Sequence, residues 1–224
     1  MTATGKCGIG VMARAPSAGK SRLAPHLTAP RLHALRAALV GDTLEAVARA
    51  RVGRDEVVVF VTPAGTEAEI ASLIGEKLSY APQPDGDLGQ RMKAAFDDLL
   101  IARRCDAALL VGSDIPFLDR DIIADAREAV GSTDGVVLGP ADDGGYYLIG
   151  MSQIHAVVFE GIEWGTATVL TETLRAAERA GISTRLVQRA FDVDTIEDLR
   201  RLEREIASAP TDVATRTRRW FSRE

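Results

Sequence analysis

The run Ala107-Ala108-Leu109-Leu110-Val111-Gly112-Ser113-Asp114-Ile115-Pro116 constrains the architecture more than any other stretch. Its five leading residues are apolar with no polar alternation, the signature of a strand buried on both faces at the centre of a parallel sheet. Gly-Ser-Asp ends the run abruptly, and Pro116 cannot extend a ladder because it lacks an N–H. One carboxylate, Asp114, is thereby set at the carboxyl end of a central strand. Ligands bind at that edge of open α/β sheets, so Asp114 reads as a metal ligand for a nucleotide diphosphate.

The rest of the chain alternates strand-like and helix-like stretches. Strands are expected at Cys7–Ala13, Glu56–Thr62, Ala107–Gly112, Gly135–Pro140, Tyr146–Met151 and Ser183–Val187, with a short extended piece at Ser79–Pro82. Apolar residues at helical spacing predict helices over Arg31–Ala50, Thr66–Leu78 (with a Thr cap), Leu88–Arg103, Asp119–Val130, Thr166–Ala180 and Thr195–Ala207. Gly181 suits the C-cap of one helix, and Thr195 with Asp198 forms a capping pattern at the start of another. Strands alternating with helices imply a single α/β domain, a Rossmann-like, mainly parallel sheet with helices on both faces. Two strands separated only by the Asp142–Gly145 turn imply one antiparallel excursion, making the sheet mixed. The domain is expected over residues 1–209. The segment 210–224 is a basic tail, read as a packing or oligomer arm that leaves room for a homodimer.

Composition narrows the partners. A net charge of −5 over 224 residues argues against a bulk electrostatic grip on nucleic acid. No apolar run approaches the roughly 20 residues a membrane-spanning helix needs, so a cytoplasmic protein is expected. The two cysteines, Cys7 and Cys105, lie in or beside apolar runs and read as buried reduced thiols.

Several stretches carry candidate chemistry. Arg14 to Ser21 ends in Gly19-Lys20-Ser21, half of a P-loop. The first P-loop glycine would fall at position 14, which is arginine, and Pro25 stops any long helix after the lysine. The stretch reads instead as a looser phosphate loop. Gly19 gives backbone freedom, and Lys20 and Arg22 offer charge to a diphosphate. Arg91, in the first turn of its helix, can lean back toward the same ligand. For the cation, Mg2+ or Mn2+, oxygen ligands are required, few from protein and the rest from phosphate and water. Asp114 with Asp194 is the first choice, and Asp192 is the alternate. Asp85-Gly86-Asp87 is a literal D-x-D, but Asp87 precedes a helix and suits its N-cap. Asp143 or Asp142 can orient or deprotonate an acceptor hydroxyl. Gly144, Gly145, Tyr146 and Trp164 complete an acceptor or sugar site. His26, His33 and His155 do not cluster.

The combination of motifs resembles a known family. Its pieces are Met12 to Pro16 with Lys20 to Pro25, Gly86 to Met92, Gly112 to Pro116, Gly139 to Gly150, and Asp192 to Thr195 with Asp198-Leu199. Together, from Ile9 to Leu202, they resemble small bacterial glycosyltransferases of the GT-A, or nucleotide-diphospho-sugar transferase, fold, most without an assigned substrate. The wider group includes molybdenum-cofactor and phospholactate guanylyltransferases, which the Lys20-Ser21-Arg22-Leu23 run is similar to. The first loop is shorter than the usual form, and Ser113-Asp114 stands where GT-A enzymes carry D-x-D. The resemblance implies that Ala13, Arg14, Gly19, Lys20, Arg22, Asp87, Arg91 and Ser113 bind the nucleotide and its phosphates. It also implies a metal-dependent transfer of a sugar from a nucleotide-activated donor to a small-molecule acceptor. Two alternatives stand beside it. One is a nucleotidyltransferase joining an NTP to a phosphorylated small molecule with release of pyrophosphate, and the other is a non-catalytic nucleotide-binding protein.

Overall fold

The computed structural model describes residues 5–74 and 78–222. Seven strands form one sheet: β1 (Cys7–Arg14), β2 (Glu56–Thr62), β3 (Ser79–Pro82), β4 (Ala107–Gly112), β5 (Val136–Pro140), β6 (Tyr146–Met151) and β7 (Thr184–Leu186). Their order is β3-β2-β1-β4-β6-β5-β7. β6 runs antiparallel to both its neighbours, and every other pair is parallel. The mixed, mainly parallel α/β sheet expected from the alternation of elements is therefore present.

β4 lies between β1 and β6, and its residues Ala108 to Val111 are at most 1% exposed. The unbroken apolar run thus marks a central strand. Glycines in β1 admit large neighbours on one face. A Cβ on Gly10 would lie 2.4 Å from Leu110, and one on Gly8 2.9 Å from Leu99.

The helices are α1 (Ala29–Ala50), α2 (Glu67–Ala71), α3 (Leu88–Phe96), α4 (Arg120–Gly131), α5 (Val169–Arg179), α6 (Ile196–Ile206) and α7 (Thr215–Phe221). α1 and α4 cover one face through Val40, Leu44, Ile123 and Val130. α3 and α5 cover the other through Met92, Phe96 and Ala177. A third apolar cluster joins the first half of α1 to α6 and α7, with Leu35 and Leu202 fully buried. The segment set apart as a basic tail therefore folds back onto α1. Its Trp220 is buried, with Nε1 donating to the Arg31 carbonyl at 3.1 Å. Among the described residues no helix is long and apolar enough to cross a membrane.

Several element ends differ from expectation. α1 starts two residues early because Pro30 is well placed in a first turn. α2 is short, and the Thr66 hydroxyl donates to the Pro63 carbonyl at 2.6 Å instead of capping it. Residues 75–77 of the predicted helix lie outside the described residues. The helix predicted over Leu88–Arg103 is α-helical only to Phe96 and then widens into a π-helical turn over Asp97–Ala102. α5 begins at Val169 because Thr166 forms a local turn, its hydroxyl donating to the Glu163 carbonyl at 2.8 Å. The capping box read from the sequence, Thr195 with Asp198, is formed, and Asp87 caps α3 as expected, in a second box completed by Gln90. Cys7 and Cys105 are buried free thiols, and burial pushes Cys7 up to about 12.

Candidate functional site

From β1 the chain runs outward to β2 and β3 on one side, then crosses back to place β4 on the other. Strand order reverses between β1 and β4, and a crevice opens there beyond the carboxyl ends of the strands. The loop after β1 and the Gly112-Ser113-Asp114 turn after β4 both project into it. The segment after β7 joins them: Ala190 bridges to Ala141, and the Val193 N–H donates to the Asp114 carbonyl at 3.3 Å. Three regions distant in sequence are thereby clamped together.

Two clefts meet at Asp114. The first, about 360 Å3, is the cationic one. Ala13, Arg14, Gly19, Lys20, Arg91 and Ser113 line it as expected, together with Asp114 and Asp194. The loop that delivers Lys20 passes through two successive left-handed residues, Gly19 (φ 86°) and Lys20 (φ 49°). The positive φ favours glycine at Gly19, and a Cβ there would also push the Arg14 side chain aside, 2.6 Å away. The Lys20 ammonium donates to Asp114 Oδ2 at 2.8 Å and to the Val193 carbonyl. It therefore stands as the counter-ion of the central carboxylate.

Arg36 and Gln83, which also line the cleft, escaped the sequence reading. Arg36, from mid-α1, reaches the cleft and donates to the carbonyls of Pro16 (3.2 Å) and Gly19. Its Nε is buried without a partner, and burial holds its pKa below the ordinary arginine value. Gln83 donates its amide to the carbonyls of Phe60 (2.7 Å) and Ala13 (3.3 Å). Both acceptors are carbonyls, so the amide nitrogen must face them, leaving the amide oxygen as Gln83's only polar atom for a ligand. Arg91 Nε is also buried and unpaired. A buried guanidinium nitrogen without a partner is a donor in want of an acceptor. Arg22 and Asp87 do not line the cleft. Arg22 extends into solvent and pairs with Asp194 at 2.9 Å, and the Asp87 carboxylate caps α3 by accepting from the Gln90 N–H at 2.8 Å.

The second cleft, about 180 Å3, is walled by Leu88, Tyr146 and Trp164 and edged by Asp114, Asp143 and Asp192. Trp164 meets Tyr146 edge-to-face, ring centroids 6.4 Å apart. It sits so close to α3 that a Cβ on Gly89 would lie 2.6 Å from its ring. The adjacent acids Asp142 and Asp143 are sorted by the turn that carries them. Asp143 Oδ1 accepts from the Gly145 N–H at 2.8 Å and faces the cleft. Asp142 points elsewhere, to Arg201 (2.6 Å) and Arg189 (3.7 Å). Gly144 between them and Gly145 has φ 91°, and a Cβ there would meet the Ala167 carbonyl oxygen at 2.1 Å.

Asp192 lies half-buried among like charges. Burial first, then the neighbouring charges of Asp114 and Asp143, push its pKa from 3.8 to about 6. The folded chain thus holds this proton more tightly than the unfolded one. Its stabilising contribution is full below about pH 4 and lost as pH rises through 6. Asp192→Asn should remove that loss, raising the unfolding free energy at pH 7 by on the order of 1–2 kcal/mol after discounting for partial exposure. No gain is expected at pH 4. Urea unfolding at the two pH values checks this.

The crowded carboxylates also bear on a cation. Among the described residues no group of three or more His, Cys, Asp or Glu could hold a metal ion by itself. Asp114 and Asp192, whose charges oppose each other, offer the all-oxygen anionic donor set a hard divalent ion takes, with phosphate and water completing the shell. The residues present fit Mg2+ or Mn2+ bound together with a phosphorylated ligand.

Comparison with known proteins places these features in context. The sequence model of a family described as "Uncharacterized protein conserved in bacteria (DUF2064)" matches residues 43–166. No curated protein matches the chain. Among solved structures, a protein of Desulfovibrio desulfuricans G20, provisionally described as a nucleotide-diphospho-sugar transferase, is 29% identical over 93% of this chain and 90% of its own, with a TM-score of 0.83. The 4-diphosphocytidyl-2C-methyl-D-erythritol synthase of Anaerococcus prevotii DSM 20548 shares the fold at 10% identity, over 91% of this chain and 96% of its own (TM-score 0.62). So does the glucosyl-3-phosphoglycerate synthase of Mycobacterium tuberculosis, solved with Mn2+, UDP and glucosyl-3-phosphoglycerate. It is 10% identical over 92% of this chain and 78% of its own (TM-score 0.53). The sheet is thus of the nucleotide-diphospho-sugar transferase type.

Proposed function

The chain belongs to the DUF2064 family, and from that premise we propose that it is a metal-dependent glycosyltransferase. It moves a sugar from a nucleotide-diphospho-sugar to a small-molecule acceptor. The observation that carries this reading is the meeting of two clefts of opposite character at Asp114, one lined with cations and the other with carboxylates and aromatic rings. A donor's diphosphate belongs with Lys20, Arg14, Arg36 and Arg91, and a hydroxyl to be deprotonated belongs beside Asp143.

Within this scheme Asp114 and Asp192 would hold Mg2+ or Mn2+, which would supply neutralising charge to the departing diphosphate. Asp194 shares the first cleft with Asp114, but Asp192 is preferred as the second ligand because its charge and that of Asp114 oppose each other, while Asp194 is paired with Arg22. Lys20 and Arg91 stabilise the negative charge that grows on the leaving group. Asp143 orients the acceptor hydroxyl and takes its proton. The protein works in the cytoplasm, consistent with two unpaired thiols.

Nucleotidyl transfer from an NTP to a phosphorylated molecule would use the same first cleft. A solved protein of the same fold described as a cytidylyltransferase supports that alternative. A thermal-shift screen of NDP-sugars, NDPs and NTPs, each with and without Mn2+, separates the two. Diphosphates with Mn2+ are expected to raise Tm by about 5–10 °C at a hundredfold excess over Kd. Stabilisation that requires an NTP and is absent with NDPs and NDP-sugars would sink the glycosyltransferase reading.

A further inference from the structure

We propose that the second cleft admits an uncharged, hydroxylated ring compound as acceptor and turns away phosphorylated or carboxylated ones; this rests on the transferase reading above. The cleft is bounded by three carboxylates, Asp114, Asp143 and Asp192, and none of its lining residues is lysine, arginine or histidine. The nearby cations are committed elsewhere. Lys20 lines the other cleft, where it pairs with Asp114 and, in the transferase reading, turns its charge to the donor's diphosphate. Arg189 and Arg201 both hold Asp142, and Arg201 also stacks 3.9 Å from the Phe191 ring centroid. A divalent ion on Asp114 and Asp192 balances two negative charges, and Asp143 remains. A phosphate monoester would bring up to two more negative charges against it, and in a partly buried site such opposition costs more than tenfold in affinity.

The walls suit a ring. Leu88 opens α3 with 44% of its surface exposed, at the seam of both clefts. Trp164, held between Gly89 and Tyr146, offers an aromatic surface to the C–H face of a sugar or cyclitol. At about 180 Å3 the cleft has half the volume of the first, so the acceptor it admits is small.

Asp143 is fixed for its part. One oxygen is occupied by the Gly145 N–H, and the turn is pinned by the Leu170 N–H donating to the Gly144 carbonyl at 3.0 Å. The other oxygen takes the acceptor's O–H proton as the acceptor oxygen bonds to the sugar's anomeric carbon. The bond from that carbon to the β-phosphate oxygen breaks, and the nucleoside diphosphate leaves with the electron pair.

Saturation-transfer NMR on the full chain with Mg2+ tests this with matched probes: methyl α-D-glucopyranoside against α-D-glucose 1-phosphate, and myo-inositol against myo-inositol 1-phosphate. Only signal lost in Trp164→Ala is counted, which excludes phosphates lodged in the first cleft. The neutral member of each pair is expected to bind at least tenfold tighter, and Thr166→Lys, adding a cation to the cleft lining, should narrow the gap several-fold. Equal or tighter binding of the phosphates overturns the proposal. So does failure of both neutral probes to give Trp164-dependent signal. The donor reading is measured separately, by nucleoside diphosphate binding to the same sample, so its failure would not be confused with a failed charge preference.

Discussion

Asp114→Asn is expected to weaken Mn2+-dependent binding of a nucleoside diphosphate by about a hundredfold or more. Asp114 is the carboxylate that lines both clefts, set at the end of β4 and clamped there by the Val193 N–H on its own carbonyl. Asparagine keeps the shape and removes the charge. The fold should survive, because two effects oppose each other: Lys20 loses its ion pair at 2.8 Å, while Asp192 is relieved of a like charge. Isothermal titration with and without Mn2+ provides the measurement, and unchanged metal dependence would remove Asp114 from the cation site. Asp194→Asn makes the contrast. Its carboxylate pairs with an arginine whose side chain is 70% exposed, so an effect of only a few-fold is expected.

The second large effect lies far from the clefts. Asp42→Ala should lower the unfolding free energy by about 2–4 kcal/mol, because a charged acceptor serving two buried donors is removed. Asp42 is 7% exposed within α1 and accepts from the N–H groups of Arg216 (2.8 Å) and Thr217 (2.9 Å) at the start of α7. Burial raises its pKa against the opposing effect of those hydrogen bonds. Its stabilising contribution as a titrating group is therefore greatest below the ordinary carboxylate pKa and falls as pH rises through the raised value. Asp42→Asn sheds the buried charge and keeps one acceptor, so its loss should be less than half that of alanine. Urea unfolding gives both numbers, and a red shift of Trp220 emission in the alanine variant would report α7 leaving α1.

The strands and their order of appearance were legible because each signal is local: apolar runs ended by glycine or proline, and caps spelled out by Asp87 and by Thr195 with Asp198. The same local logic placed Asp114 at a sheet edge. What escaped depends on partners distant in sequence. Arg36 reads as an ordinary helix-face arginine until the loop after β1 folds over it. Gln83 gains its meaning from two carbonyls on neighbouring strands. Asp142 and Asp143 are indistinguishable as letters, and one Asx turn sends them in opposite directions. Asp192 and Asp194 likewise become different only when Lys20 and Arg22 arrive from the other end of the chain. The π turn at Asp97–Ala102 went unread because one turn of it places apolar residues almost where an α-helix would.

The Asp42 clamp joins residues 174 and 175 positions apart, and that separation has a consequence for biosynthesis. At roughly 5–20 residues per second, a ribosome needs about 10–35 s to make the donors that this carboxylate awaits. Throughout that interval Leu32, Leu35 and Leu39, which end nearly inaccessible to solvent, have no α6 or α7 to cover them. The amino-terminal half can assemble β1 to β4 as it emerges, but its third apolar cluster stays open to water, or to a chaperone, until the closing segment has been translated.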